Sequence, residues 1–415
     1  MVKFAVYGAA MDVHPPHITS YDPWAPEVLT DPYPFYAWLR ANAPAYHVVD
    51  HDIWVVTRYD DVLRAVRDPQ VFSSNQGNSY ERRPVPMLVG LDPPEHTRLR
   101  RVVSRHWTPR VVATLAPRIE RLVDEILTAA LAKGDIDFVA DVCEPLPITL
   151  IAEIMGIPDD NFAQFREWSD ATVAQMAGPP TDENELKIVE FAMYFLDLVT
   201  RRQAEFDRGA ADIDDPNDMV GILFGRTPEG ERLAPEEIVA MCVLLVVAGN
   251  ETTTNLMANM GLEVLDRRPD VWEALVADPS LMGSFVEEGL RFTSPVQGLF
   301  RNTLTDVTIG DATIPADSKV LLCYAAANRD TDKWPDAAEF RLDRYPDPLT
   351  TTDHLAFASG IHHCLGAHLA RLEATIMFDA LVARMATFEA TGPVVWGANP
   401  SIRGMRHLPA RITAR

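Results

Sequence analysis

From Met241 to Ala248 every position is apolar. A helix through such a stretch has no face to offer water and has to be buried. The helical pattern opens at Pro235, a favoured first position, with Glu236 and Glu237 in the first turn, and runs to about Asp266. At the usual rise this gives a rod of about 50 Å, long enough to cross a whole domain. Around it the periodicity predicts amphipathic helices over Pro34 to Asn42, Asp60 to Val66, Leu115 to Leu131, Leu146 to Met155, Asn161 to Ala177, Glu185 to Phe206 and Ser284 to Phe292. Alternating runs are fewer and shorter. Ala45 to Val49 and Ile53 to Thr57 read as a hairpin about Asp50-His51-Asp52. Val307 to Ile309, Ala312 to Ile314 and Lys319 to Cys323 read as short strands.

Two stretches carry no period. Residues 1–30 are expected to be irregular, with His14 and His17 at the surface. Phe72 to Gly90, with Asn75, Gly77, Pro84 and Pro86, reads as a long loop, and loops of that length are usually functional.

Composition narrows the function classes. Of 415 residues 47% are hydrophobic and the formal net charge is −23. That supports a large core and argues against nucleic acid or an anionic membrane as a partner. The four cysteines, Cys143, Cys242, Cys323 and Cys364, lie far apart with no disulfide framework, which points to a reducing, cytoplasmic setting. The opening residues are too short for a signal or a membrane span.

The densest chemistry lies at Phe357-Ala-Ser-Gly-Ile-His-His-Cys-Leu-Gly-Ala-His-Leu-Ala-Arg371. Gly360 and Gly366 are expected to relieve the backbone on either side of Cys364, either by a positive φ or by removing a clashing Cβ. A helical pattern begins at Ala367, so Cys364 sits at a helix mouth, where a thiolate is favoured. Such a sulfur can be a packed core group, a zinc ligand with the nearby histidines, or an axial ligand to haem iron. Elsewhere, His96 and Arg100 fall on one helix face and suit a carboxylate. Ala248-Gly-Asn-Glu-Thr-Thr-Thr254 puts an acid and hydroxyls in the middle of the buried helix, where Gly249 is expected to let it bulge. Glu288 and Arg291 are placed for a one-turn ion pair.

Phe357-x-x-Gly360-x-His362-x-Cys364-x-Gly366 resembles the haem-binding loop of the cytochrome P450 family, with Ala358 where that family usually has glycine. The long-helix run resembles the family's oxygen-activation pattern, and Glu288-x-x-Arg291 with Arg344 resembles its structural triad. The resemblance implies a mainly α fold: a helical domain over residues 1–415 with a smaller β region, no fused reductase, and haem b between the long helix and the Cys loop. It implies Cys364 as iron ligand, His96, Arg100, Arg301 and His362 on the two propionates, and Phe357 and Gly366 in the haem cradle. Glu251 and Thr252 would deliver protons. Val243, Leu244, Val247, Ala248, Val296, Gln297 and Leu299 would line the pocket, with Gln297 as a polar anchor, and Asn399 to Gly404 would touch substrate. The implied reaction is hydroxylation or O-dealkylation of an apolar small molecule with O2 by a monomer. A separate ferredoxin would dock on the Cys364 side against Arg98, Arg101 and Arg371. A peroxide-driven haem enzyme and a non-catalytic haem or carrier-docking module are the alternatives, and the acid–alcohol pair counts against both.

Overall fold

The structure is a computed structural model and describes residues 18–157, 162–179, 181–209, 218–227, 230–347 and 353–415. His14, His17 and the start expected at Asn161 lie outside the described residues.

The buried rod is present as Pro235–Leu262, continued by a wider turn over Glu263–Arg267. It is long and apolar enough to cross a bilayer, but 56% of its apolar window is buried within the protein. Its neighbours explain that burial. Pro145–Met155, Phe162–Met176 and Asp182–Asp207 pack along it, and so do Met282–Thr293 and Ala367–Arg384. The helix is regular through Gly249, contrary to the expected bulge. Gly249 answers to packing instead: a Cβ there would lie 3.0 Å from the Ile151 side chain of the crossing helix.

The hairpin pairs Ala45–Val48 with Ile53–Val56, Val48 opposite Ile53. Ile53–Val56 then runs parallel to Lys319–Leu322, which pairs antiparallel with Leu299–Thr303, and that strand with Phe72–Ser73. A second sheet joins Asp135–Asp137, Pro409–Ala414 and Met385–Ala390. Cys143, Cys242 and Cys323 are buried, as core packing requires.

The expected ion pair is the polar centre of the scaffold. Glu288 and Arg291 are fully buried, with two bonds of 2.7 Å between them. Arg291 also donates to the carbonyls of Asn328, Ala337 and Glu339. Glu288 receives Arg344 at 3.2 Å and the Arg341 backbone N–H at 2.8 Å. A buried pair offsets its desolvation only when its remaining polar atoms are bonded, as here. It ties the helix Met282–Thr293 to the 328–344 segment that leads towards the Cys loop.

Candidate active site

Among the described residues, burial in the centre of the chain has a gap. The long helix is buried around its circumference from Thr253 to Leu262, yet Ala248 is exposed and Leu244 and Val247 are partly so. Val296 and Leu299 are also partly exposed. Small exposed surfaces inside a core mark a cleft. Two expected lining residues do not share it. Val243 is buried in the core. Gln297 is buried with its amide committed, its Oε1 accepting from the Tyr36 hydroxyl at 3.1 Å and its Nε2 donating to the Ser294 carbonyl at 2.6 Å. Its role is scaffold, not anchor.

Cys364 is exposed, yet burial pushes its thiol upward, opposed by the Gly366 N–H and the charges of Arg100 and Arg371. Both hold when sulfur faces an internal cleft. The loop is fixed by the Cys364 N–H, which donates to the Phe357 carbonyl at 3.0 Å. Gly360 has φ +70, and a Cβ there would lie 2.7 Å from the Val66 carbonyl oxygen, so both expected reasons for glycine apply. At Gly366 neither does: φ is −84 and a Cβ would meet nothing within 4 Å. Open space beside Cys364 is what a flat group lying on the loop needs. Ala358 takes φ +54, the conformation glycine tolerates best.

Beside the loop four nitrogen groups converge. His96 and His362 rings stand 4.5 Å apart. Burial, followed by Arg301, His96 and Arg100, drives the His362 pKa down to about 2. Arg100 donates to the His363 carbonyl at 2.7 Å, Arg301 to the Phe300 carbonyl at 2.7 Å, and His362 meets the Ser74 hydroxyl at 3.1 Å. No carboxylate is among these partners. Both ring nitrogens of His96 are buried without a partner. Buried donors left unmatched are costly, and a pair of carboxylates would satisfy them. The accessible thiol, the open cradle at Gly366 and this anion-seeking cluster fit haem b with its two propionates.

On the opposite wall Thr252 donates from its hydroxyl to the Ala248 carbonyl at 2.7 Å. Glu251 has one oxygen buried without a partner, the other 3.8 Å from Arg406. Arg406 also lies 3.3 Å from Asp170 and is 43% exposed. Burial raises the Glu251 carboxyl to about 7, with Arg406 opposing and Asp170 reinforcing. The acid is inside; its partners reach solvent.

Several site residues escape sequence reasoning, among them Ser74, Arg406, Asp170 and Glu287, which meets His354 and Arg371. Of these, Glu287 left a trace, as one of two successive acids in an apolar helix. The expected docking arginines need correction: Arg98 is paired with Glu237 and Arg371 with Glu287, so their charges are compensated. The turn expected at Asn399 to Gly404 is stapled beside the cleft, Ser401 accepting from the Gln297 N–H at 2.8 Å and Ile402 bridging Val296.

The family model described as Cytochrome P450 matches residues 44–389. Cytochrome P450 130 of Mycobacterium tuberculosis is 38% identical over 94% of this chain and 96% of its own length. The cytochrome P450 monooxygenase PikC of Streptomyces venezuelae is 38% identical over 92% and 91%. The crystal structure of CYP109E1 from Bacillus megaterium in complex with testosterone superimposes with a TM-score of 0.82 at 31% identity, covering 93% of this chain and 98% of that one. With that agreement in sequence and fold, the cleft between long helix and Cys loop belongs to a haem b monooxygenase, and the chain is a member of the cytochrome P450 family.

Proposed function

We propose that the chain folds as one haem domain, monomeric and cytoplasmic. It hydroxylates or O-dealkylates an apolar small molecule with O2 and electrons from a separate ferredoxin. The observation that carries this reading is the accessible Cys364 in a cleft roofed by exposed Ala248 and flanked by His96, whose ring nitrogens are unmatched, with Arg100, Arg301 and His362. Haem b, when bound, supplies the oxygen chemistry, which a thiolate ligand favours by donating electron density.

The chain's own residues do the rest. The Gly366 N–H and the charges of Arg100 and Arg371 stabilise the Cys364 anion against its burial. His96, Arg100, Arg301 and His362 bind the propionates and orient the group. Glu251, raised to about 7, is poised both to take and to give a proton near neutrality. Arg406 and Asp170 lead from it to solvent. The Thr252 proton is committed to the Ala248 carbonyl, so its oxygen lone pairs accept from a proton donor in the cleft. Leu244, Val247, Ala248, Val296 and Leu299 exclude water and hold apolar substrate.

Charge for the ferredoxin comes from exposed Arg67, which bonds Ser359 of the Cys loop at 3.0 Å. Arg67→Glu should slow reduction by ferredoxin; an unchanged rate would rule out this face.

The relative bound to testosterone makes a steroid panel the first probe of the cleft. With reduced ferredoxin and ¹⁸O2, product should carry one labelled oxygen. Turnover with hydrogen peroxide but none with ferredoxin would replace this reading with a peroxide-driven one.

A further inference from the structure

Both ends of the Cys364 loop are held by a carboxylate to which the reaction assigns no role. Glu287, on the helix Met282–Thr293, is 3% exposed. Its Oε2 accepts from Arg371 Nη2 at 3.0 Å, and its Oε1 accepts from Arg371 Nε. His354 Nε2 lies 2.8 Å from the same carboxylate. The Ala356 N–H donates to His354 Nδ1 at 3.3 Å, which leaves Nε2 to face Glu287. His354 enters the loop, and Arg371 stands on the helix that leaves it. The Arg371 guanidinium sits over the Phe357 ring, 4.6 Å from its centre, and Phe357 supplies the carbonyl that holds the Cys364 N–H. Arg371 is thus both a structural tie and a cation close enough to act on the sulfur.

We propose that Glu287 is a positioning residue for Cys364: by cancelling the Arg371 charge and gripping His354, it fixes the loop and keeps the field at the sulfur from favouring a reduced iron. This rests on the reading of Cys364 as haem ligand. One-electron reduction of ferric haem adds one negative charge beside the sulfur. An uncompensated Arg371 cation stabilises that charge, and an uncompensated Glu287 anion opposes it. Removing Glu287 therefore leaves the full guanidinium charge in place.

The test is a mediator-coupled redox titration of the haem-loaded protein at pH 8. Glu287→Gln should raise the reduction potential by at least tenfold in the electron-transfer equilibrium, about 59 mV for one electron. Arg371→Gln should lower it, and the double variant should return towards wild type. Loosening of the loop alone cannot produce opposite signs. Shifts of the same sign, or none in either variant, overturn the proposal. If Glu287→Gln does not fold, the fall in Arg371→Gln and the return in the double variant carry the test. Wild type lacking the thiolate-type ferrous–CO absorption would remove the Cys364 assignment and this proposal with it. Normal wild-type absorption with same-sign shifts would remove this proposal alone.

Discussion

Two glutamates sit deep in neighbouring helices, and their surroundings could hardly differ more. Glu288 has no exposed surface and is bonded to Arg291, Arg344 and the Arg341 backbone N–H. Glu251 has an oxygen with no partner, a cation at 3.8 Å, and a carboxyl raised to about 7. A buried acid whose oxygens are all bonded serves structure. A buried acid left short of partners stays close to exchanging its proton, which costs stability and suits chemistry. Burial alone does not separate the two; the count of satisfied atoms does.

The contrast breaks most visibly at Glu288. Glu288→Ala leaves Arg291 charged and buried, and a loss of about 3–5 kcal/mol in unfolding free energy is expected by denaturant titration. A loss below 1 kcal/mol would mean that the network is not structural.

Glu251 sharpens the other side. Its folded carboxyl is raised, so the folded state binds the extra proton and is favoured at low pH. That contribution is fully present below the ordinary glutamate value of 4.5 and is lost as pH rises to about 7. The loss amounts to roughly 3 kcal/mol. Glu251→Gln should remove this part of the decline between pH 5 and 8. The part due to Glu373, which burial raises to about 8, should remain. Turnover of the same variant should fall by roughly 100-fold.

The smallest effect is expected in the Cys loop itself. Ala358 holds a positive φ that costs an alanine roughly 1 kcal/mol more than a glycine. Ala358→Gly should raise thermal stability by about that amount with turnover unchanged.

Much of this arrangement could be read from the chain. The buried rod was visible because Met241 to Ala248 offers no polar face, and the hairpin because its alternation breaks at Asp50-His51-Asp52. Glu288 and Arg291 were visible because one helical turn brings them together. The rest depends on distance along the chain. Glu287 meets His354 across 67 residues and Arg371 across 84, separations over which no local pattern pairs residues. Ile53–Val56 pairs in parallel with Lys319–Leu322, a match that no local pattern encodes. The reasons expected for Gly249 and Gly366 do not hold: a Cβ at one would crowd Ile151, and a Cβ at the other would meet nothing within 4 Å. A sequence marks an unusual residue more readily than it names the neighbour responsible.

The central claim is that the sulfur at the mouth of the helix Ala367–Arg384 binds iron as a thiolate. The most direct measurement is the absorption spectrum of the reduced, carbon monoxide-treated protein beside that of Cys364→His. Wild type should absorb at the long wavelength typical of thiolate ligation, and the variant at the shorter wavelength of a histidine-ligated haem. A wild type already at the shorter wavelength, or identical spectra for the two proteins, would contradict the account.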